Sequence, residues 1–242
     1  MSVELNAQEA AHSKAVRAMF SGIAGRYDLL NHILSLNIDK RWRRKVANKL
    51  RPTLNRPDAV VLDVACGTGD LSLELRRNAA ARIIGTDFCR PMLAVAQSKS
   101  LEQHSAIPYL EADAMALPFD DDSFDALTIA FGLRNLPNVA NGLTELRRVL
   151  KPNGKIVVLE FSSPIVPGFR GLFNFYFANV LPRIGGLISG SRGAYEYLPD
   201  SVSKFPGQKA LADLMSYGGF GNVRYENLTG GIAALHSGTK TI

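Results

Sequence analysis

The ten residues Val60-Val61-Leu62-Asp63-Val64-Ala65-Cys66-Gly67-Thr68-Gly69 constrain this chain more than any other stretch. A short apolar run suited to a buried strand passes directly into a turn of small residues, and Leu71 to Arg77 then reads as a helix. Strand, glycine turn and helix in that order build one edge of a parallel sheet. Gly67 and Gly69 permit positive φ and let a ligand come close to the backbone. The first amides of the helix point at that ligand. Asp63, at the end of the strand, suits a cationic group such as an amino group. A dinucleotide would place pyrophosphate against the turn, where a carboxylate is unwelcome, and the G-x-G-x-x-G spacing fails because Ser72 stands in the third glycine's place.

The pattern repeats downstream. Arg82–Thr86 predicts a second strand, Pro91–Ser98 a helix with its proline near the first turn, and Pro108–Glu111 a third strand. Phe124–Phe131 predicts a fourth strand and Val139–Leu150 a helix with Leu143, Leu146 and Leu150 on one face. Lys151-Pro152-Asn153-Gly154 signals a turn before a fifth strand, Lys155–Phe161. A helix at Gln208–Tyr217 and strands at Val223–Asn227 and Ile232–His236 close the chain. Strands alternating with helices imply a doubly wound α/β domain with a mostly parallel, seven-stranded, Rossmann-like sheet.

The 242 residues fit one such domain, with 46% apolar residues to fill its core. Its expected parts are an N-terminal helical cap (residues 1–57), a core (58–161), an insertion, read as a helical lid (162–204), and a C-terminal helix with a strand pair (205–242). In the cap, Trp42, Val46 and Leu50 share a helical face, Asp39 is placed to cap that helix, and Pro52 and Pro57 end the segment.

Net charge is +6, and the excess is local: six basic residues and no acidic one lie between Lys40 and Lys49. Such a patch suits an anionic membrane surface, and equally a solvated helix face. Cys66, Cys89 and four scattered histidines have no zinc-like spacing, so no metal is expected, and both cysteines read as small packing residues. No secretory leader and no apolar run of transmembrane length is visible, which gives a soluble, cytoplasmic expectation.

Acids recur at strand ends. Asp87 follows the second strand, where it suits two ribose hydroxyls. Asp113 follows the third, beside Ala114, and suits an adenine amino group while the Ala114 amide serves a ring nitrogen. Asp63, Asp87 and Asp113 are therefore expected on one sheet edge, at the switch point where open α/β sheets bind ligands. With the turn residues Gly67, Thr68 and Gly69, they make the candidate cofactor site.

Residues 60–161 resemble the class I S-adenosylmethionine methyltransferases, with Ala65 in place of the usual first glycine of the turn. A narrower resemblance spans nearly the whole chain: Arg26-Tyr27-Asp28-Leu29-Leu30-Asn31, Trp42-Arg43, Leu117-Pro118-Phe119-Asp120, Phe131-Gly132-Leu133-Arg134-Asn135, Leu159-Glu160-Phe161-Ser162 and Gly231-Ile232-Ala233-Ala234-Leu235-His236 are similar to the ubiquinone and menaquinone C-methyltransferases. Phe205-Pro206-Gly207 and Gly168-Phe169-Arg170 lean towards the menaquinone branch.

The resemblance implies S-adenosylmethionine as methyl donor and a prenylated quinol as acceptor: demethylmenaquinol, and in the ubiquinone branch 2-methoxy-6-polyprenyl-1,4-benzoquinol. It implies roles for Arg134, Asn135 and Tyr27 at the quinol, with Arg134 stabilising a phenolate or orienting a water, and Tyr27 and Asp28 positioning the hydroxyl. Ala130, where some members carry Ser, joins the cofactor residues. The Asn/Asp-Pro-Pro-aromatic sequence of amino-directed methyltransferases is replaced by Ala130-Phe131-Gly132-Leu133-Arg134, which argues against a nucleic-acid partner. The aromatic run from Phe169 to Phe177 suits a prenyl tail, and with the basic patch implies peripheral contact at the inner face of a membrane. A methyltransferase for another small lipid or phenol, and a non-catalytic S-adenosylmethionine-binding protein, use the same features. Oligomeric state and tail length are left open.

Overall fold

The computed structural model describes residues 6–35, 37–77, 79–166, 171 and 192–241. Helix α1 (Ala7–Ile23) opens with a capping box: Asn6 Oδ1 accepts from the Glu9 amide at 2.9 Å, and the Asn6 amide donates to Glu9 at 3.0 Å. A single 3₁₀ turn leads to α2 (Tyr27–Leu34), then α3 (Ile38–Lys49) and the short α4 (Arg51–Leu54). The core runs β1 (Val60–Val64), α5 (Asp70–Arg76), β2 (Arg82–Asp87), α6 (Arg90–Glu102), β3 (Tyr109–Glu111), β4 (Phe124–Ala130), α7 (Val139–Val149) and β5 (Leu150–Phe161). After the residues left undescribed come α8 (Arg192–Lys204), α9 (Gln208–Tyr217), β6 (Phe220–Leu228) and β7 (Ala233–Lys240).

The seven strands form one sheet in the order β3-β2-β1-β4-β5-β7-β6. The first five are parallel, while β7 pairs antiparallel with both β5 and β6. Alternation sorts the strands' side chains into two cores. Val61, Ile83, Val157 and Leu235 pack with Trp42, Val46 and Leu50 of α3 and with Leu71 and Leu75 of α5. Leu62, Val64, Leu127, Ile129 and Val158 pack with Leu143 and Leu146 of α7 and with Leu211 and Met215 of α9. Each side chain fully buried in this way stabilises the fold by about 1.5–3 kcal/mol. The strand order turns back between β1 and β4, so the C-terminal ends of β1, β2 and β4 diverge around a crevice.

Several expectations need correction. Asp39 does not cap α3. Asn37 occupies that place at φ 59° without a side-chain bond, and Asp39 lies buried against Arg43 and accepts from Ser35 at 2.7 Å. Pro52 sits in the first turn of α4 instead of closing the segment, as its fixed φ allows. Strand β5 starts at Leu150, not Lys155, because Leu150 pairs with Phe124 ahead of an irregularity that absorbs the Pro152–Gly154 turn. β4 stops at Ala130, because Phe131 takes the left-handed region at φ 57°. Of the span read as a helical lid, only 162–166, 171 and α8 are described, and the aromatic run 169–177 lies outside the described residues apart from residue 171.

Candidate active site

The turn after β1 is shaped by its backbone. Ala65, Gly67 and Gly69 all have positive φ, at 50°, 55° and 81°. A side chain at Gly67 would meet nothing within 4 Å, whereas one at Gly69 would strike Tyr109 Oη at 2.7 Å and Ala96 Cβ at 2.9 Å. Gly67 therefore leaves open space for a ligand, and Gly69 lets the turn settle onto α6 and β3. Asp87 locks the turn from β2. One of its oxygens accepts from the Gly67 amide at 2.8 Å, the other from the Cys89 amide at 2.8 Å. Burial pushes its carboxyl up to about 6, against those backbone bonds. Asp113 accepts from the Met115 amide at 2.9 Å, next to the buried Ala114.

These residues border a hollow of about 670 Å³, open mouth included. Gly67, Asp87, Asp113, Ala114 and Ala130 line it, joined by Asn135 and, from the cap, Phe20 and Tyr27. Asp63, Thr68 and Gly69 are not in its wall. Asp63 shares the sheet face of Val61, and there its carboxylate accepts from Ser72 at 2.6 Å and from Thr128 at 2.7 Å. It is 1% exposed, and burial raises it to about 6 in spite of the two hydroxyls. Its geometry makes it a brace between β1, β4 and α5. The expected convergence of three carboxylates on one hollow is thus met by two. Thr68 turns its hydroxyl away from the hollow, to Asp28 of α2. Asp28, which also accepts from Lys99 at 2.7 Å, fastens the cap and is not in that wall either.

A second hollow, of about 660 Å³, abuts the first and shares Phe20, Tyr27 and Phe131 with it. Six of its fourteen lining residues are aromatic. Phe131 and Phe161 lie 4.6 Å apart, and Trp42 meets Phe161 edge-on at 6.3 Å. Polar groups enter at its ends: Arg134, Tyr197 and the Asp39–Arg43 pair. Arg134 donates to Glu160 of β5 at 2.5 Å and to the Phe131 carbonyl at 2.6 Å, with its guanidinium 5.3 Å from the Phe161 ring centre. Its Nε is buried with no partner among the described residues. Asn135 donates to the Phe131 carbonyl at 3.1 Å and accepts from Tyr197 of α8 at 3.1 Å. Burial raises both Tyr27 and Tyr197, against the pull of Arg134.

Two members of this arrangement escape a reading of the sequence. Glu160 carries a visible signal, an acid inside the apolar run Ile156–Phe161, which only a buried partner makes tolerable. Tyr197 has none, because its partner Asn135 lies 62 residues away in sequence. Cys66 and Cys89 are free thiols, and burial pushes the Cys66 thiol well up. Among the described residues no three His, Cys, Asp or Glu side chains gather as a metal site.

The sheet order, with its antiparallel strand next to last, and the glycine turn at the crevice define the class I methyltransferase fold. Solved structures agree on the fold. A SAM-dependent methyltransferase of Thermotoga maritima superposes with a TM-score of 0.66 at 17% identity, covering 93% of this chain and 99% of that one. The cyclase SpnF does so at 0.63 and 18% identity, covering 82% and 81%.

Sequence is more specific than shape here. The chain belongs to the ubiE/COQ5 methyltransferase family, which it matches over residues 7–240. It is 50% identical to the demethylmenaquinone methyltransferase of Thermus thermophilus, covering 92% of this chain and 100% of that one. The corresponding enzyme of Deinococcus radiodurans is 47% identical, covering 94% and 93%. The ubiquinone/menaquinone biosynthesis C-methyltransferase UbiE of a Geobacter strain is 50% identical, covering 93% and 96%.

Proposed function

We propose that this protein transfers a methyl group from S-adenosylmethionine to a ring carbon of a prenylated quinol, demethylmenaquinol before the benzoquinol of the ubiquinone branch. The observation that carries this reading is the pair of hollows with a common wall of Phe20, Tyr27 and Phe131. One is edged by acids and open backbone, the other by aromatic rings, as a nucleoside and a fused-ring quinol require.

The first hollow fits the nucleoside. Asp87 accepts from the backbone of Gly67, Cys89 and Phe88, and a carboxylate offers about four acceptor sites, so acceptor capacity is left for the ribose diol. The Asp113–Ala114 edge suits adenine, and Gly67 leaves backbone exposed for the remainder. Bound there, the cofactor supplies an electrophilic methyl on a sulfonium.

A quinol carbon becomes nucleophilic once its neighbouring hydroxyl has lost a proton. Arg134 stays protonated and is no base. Glu160 offsets its charge, so Arg134 contributes oriented N–H donors more than a free positive charge, from a nearly buried position. Tyr27 and Asn135 line the cofactor hollow, and Tyr27 also lines the quinol hollow, which suits them to hold the hydroxyl while the carbon lines up with the methyl. After transfer the ring loses its carbon-bound proton and regains aromaticity.

The cap also supports a peripheral role at the inner face of an anionic membrane. Arg43 is turned inward and Lys45 pairs with Glu226, whereas Lys40, Arg41, Arg44 and Lys49 stand exposed on α3. Each basic group near such a surface contributes about 1 kcal/mol. Among the described residues no helix is long and apolar enough to cross a membrane.

The test is a methyl-transfer assay with labelled S-adenosylmethionine and short-chain acceptors of both kinds. Labelled naphthoquinol product is expected, in excess over benzoquinol product. Binding of the cofactor with no transfer to either ring would overturn the reading.

A further inference from the structure

Thr68 lies between the two left-handed glycines of the turn, 2% exposed, with its hydroxyl directed at the cap. Asp28 receives that hydroxyl on one oxygen and Lys99 of α6 on the other, at 2.7 Å. Lys99 also pairs with Asp70, the first residue of α5. The residue preceding Asp28 is Tyr27, part of the wall between the two hollows. Among the described side chains of α2, Asp28 is the one tied by charge to the core. Leu29, next along, is 56% exposed and holds nothing down.

We propose that Asp28 is a positioning residue: it clasps α2 to the glycine turn, so that an ordered turn seats Tyr27 and completes the quinol hollow. The proposal rests on the methyltransferase reading above. Its consequence is energetic. A ligand that orders the turn holds Thr68 in place and lowers the cost of closing the cap, and a quinol that closes the cap orders the turn in return. Coupling of this kind is reciprocal, because both ligands draw on one equilibrium.

Calorimetry on the intact protein tests it with the two products, S-adenosylhomocysteine and a short-chain menaquinol kept reduced. Each is titrated alone and then with the other at saturation. In the wild type each is expected to tighten the other by the same factor, at least about fivefold. Asp28→Ala is expected to bring that factor close to one and to raise the quinol KM about tenfold, with little change in S-adenosylhomocysteine affinity measured alone. Thr68→Val breaks the clasp from the other side, keeps the side-chain volume, and is expected to lose the coupling likewise. If Asp28→Ala does not fold, this second variant carries the test. Both ligands binding independently in the wild type, or coupling that survives in Thr68→Val, would overturn the clasp and leave the methyltransferase reading standing. Absence of S-adenosylhomocysteine binding in the wild type would overturn both.

Discussion

The two hollows meet at Tyr27 and Phe131 but are made of different material. The hollow proposed for the cofactor is built from strand ends and main chain: two left-handed glycines, the amides that Asp87 gathers, and the Asp113–Ala114 edge. The hollow proposed for the quinol is built from side chains far apart in sequence, Trp42 of α3, Tyr197 of α8 and the Arg134–Glu160 pair. A nucleoside presents the same hydroxyls and ring nitrogens in every enzyme that uses it, so backbone geometry suffices to receive it. An acceptor differs from enzyme to enzyme, and exchangeable side chains let its chamber change without disturbing the sheet.

The sharpest way to break this comparison is at Glu160, which supports the quinol side from within the sheet. Glu160→Ala leaves Arg134 charged and unpartnered in the interior, and a loss of about 3–5 kcal/mol of stability is expected in urea unfolding. A loss below about 1 kcal/mol, of surface-pair size, would show the pair to be peripheral. On the cofactor side, Asp87→Asn keeps the shape but removes the charge from two or more hydrogen bonds. S-adenosylhomocysteine affinity is expected to fall at least about tenfold in calorimetry, as a charged bond contributes roughly 1.5–3 kcal/mol, while the quinol KM stays put. Equal damage to both ligands would dissolve the distinction.

A smaller effect follows from acidity. Burial raises Asp87 from the ordinary 3.8 to about 6, and the ligand needs the carboxylate. Affinity should decline as pH falls through about 6, approaching tenfold per pH unit below it. The ligand-free protein responds with the opposite sign. Between about 4 and 6 the folded state keeps a proton that the unfolded chain has released, so this group's contribution favours the fold at low pH and is lost as pH rises. Titrating affinity and stability together, with Asp87→Asn as reference, separates the two slopes, and parallel slopes would refute the assignment. The smallest effect belongs to the turn. Ala65 holds φ 50°, where its Cβ costs about 1 kcal/mol, so Ala65→Gly is expected to stabilise by up to that amount, net of glycine's freedom in the unfolded chain. Calorimetric melting checks it, and a lowered Tm would contradict the strain.

Much of the fold was legible because it is written locally. Val60–Val64 and Gln208–Tyr217 announce themselves by apolar spacing and turn residues, and both lie where that spacing predicts. The reading strained where a residue's partner is distant. Asp39 has the chemistry of a helix cap, and only Arg43 packed in the interior makes it a buried ion instead. Asp63 sits at a strand end like Asp87, yet pleating alone decides that it faces α5 and Ser72. Thr68 reads as a ligand contact from its neighbours, and the existence of Asp28 above it is a fact of tertiary structure. Acids at strand ends therefore narrow a site to an edge, and the side-chain alternation must be worked through before each is given a task.

The late position of β7 has a further consequence for how the chain is made. β5 pairs on one flank with β4, which precedes it, and on the other with β7, which begins at Ala233. Until β7 follows, its first residue roughly 4–14 s after Phe161 at about 5–20 residues per second, β5 is an open border of the sheet lined with Ile156, Val157, Val158 and Leu159. A nascent chain stalled in that interval exposes an adhesive, unpaired ladder. Pairing with β7 closes it, which makes that strand a cover against association during synthesis as well as part of the sheet.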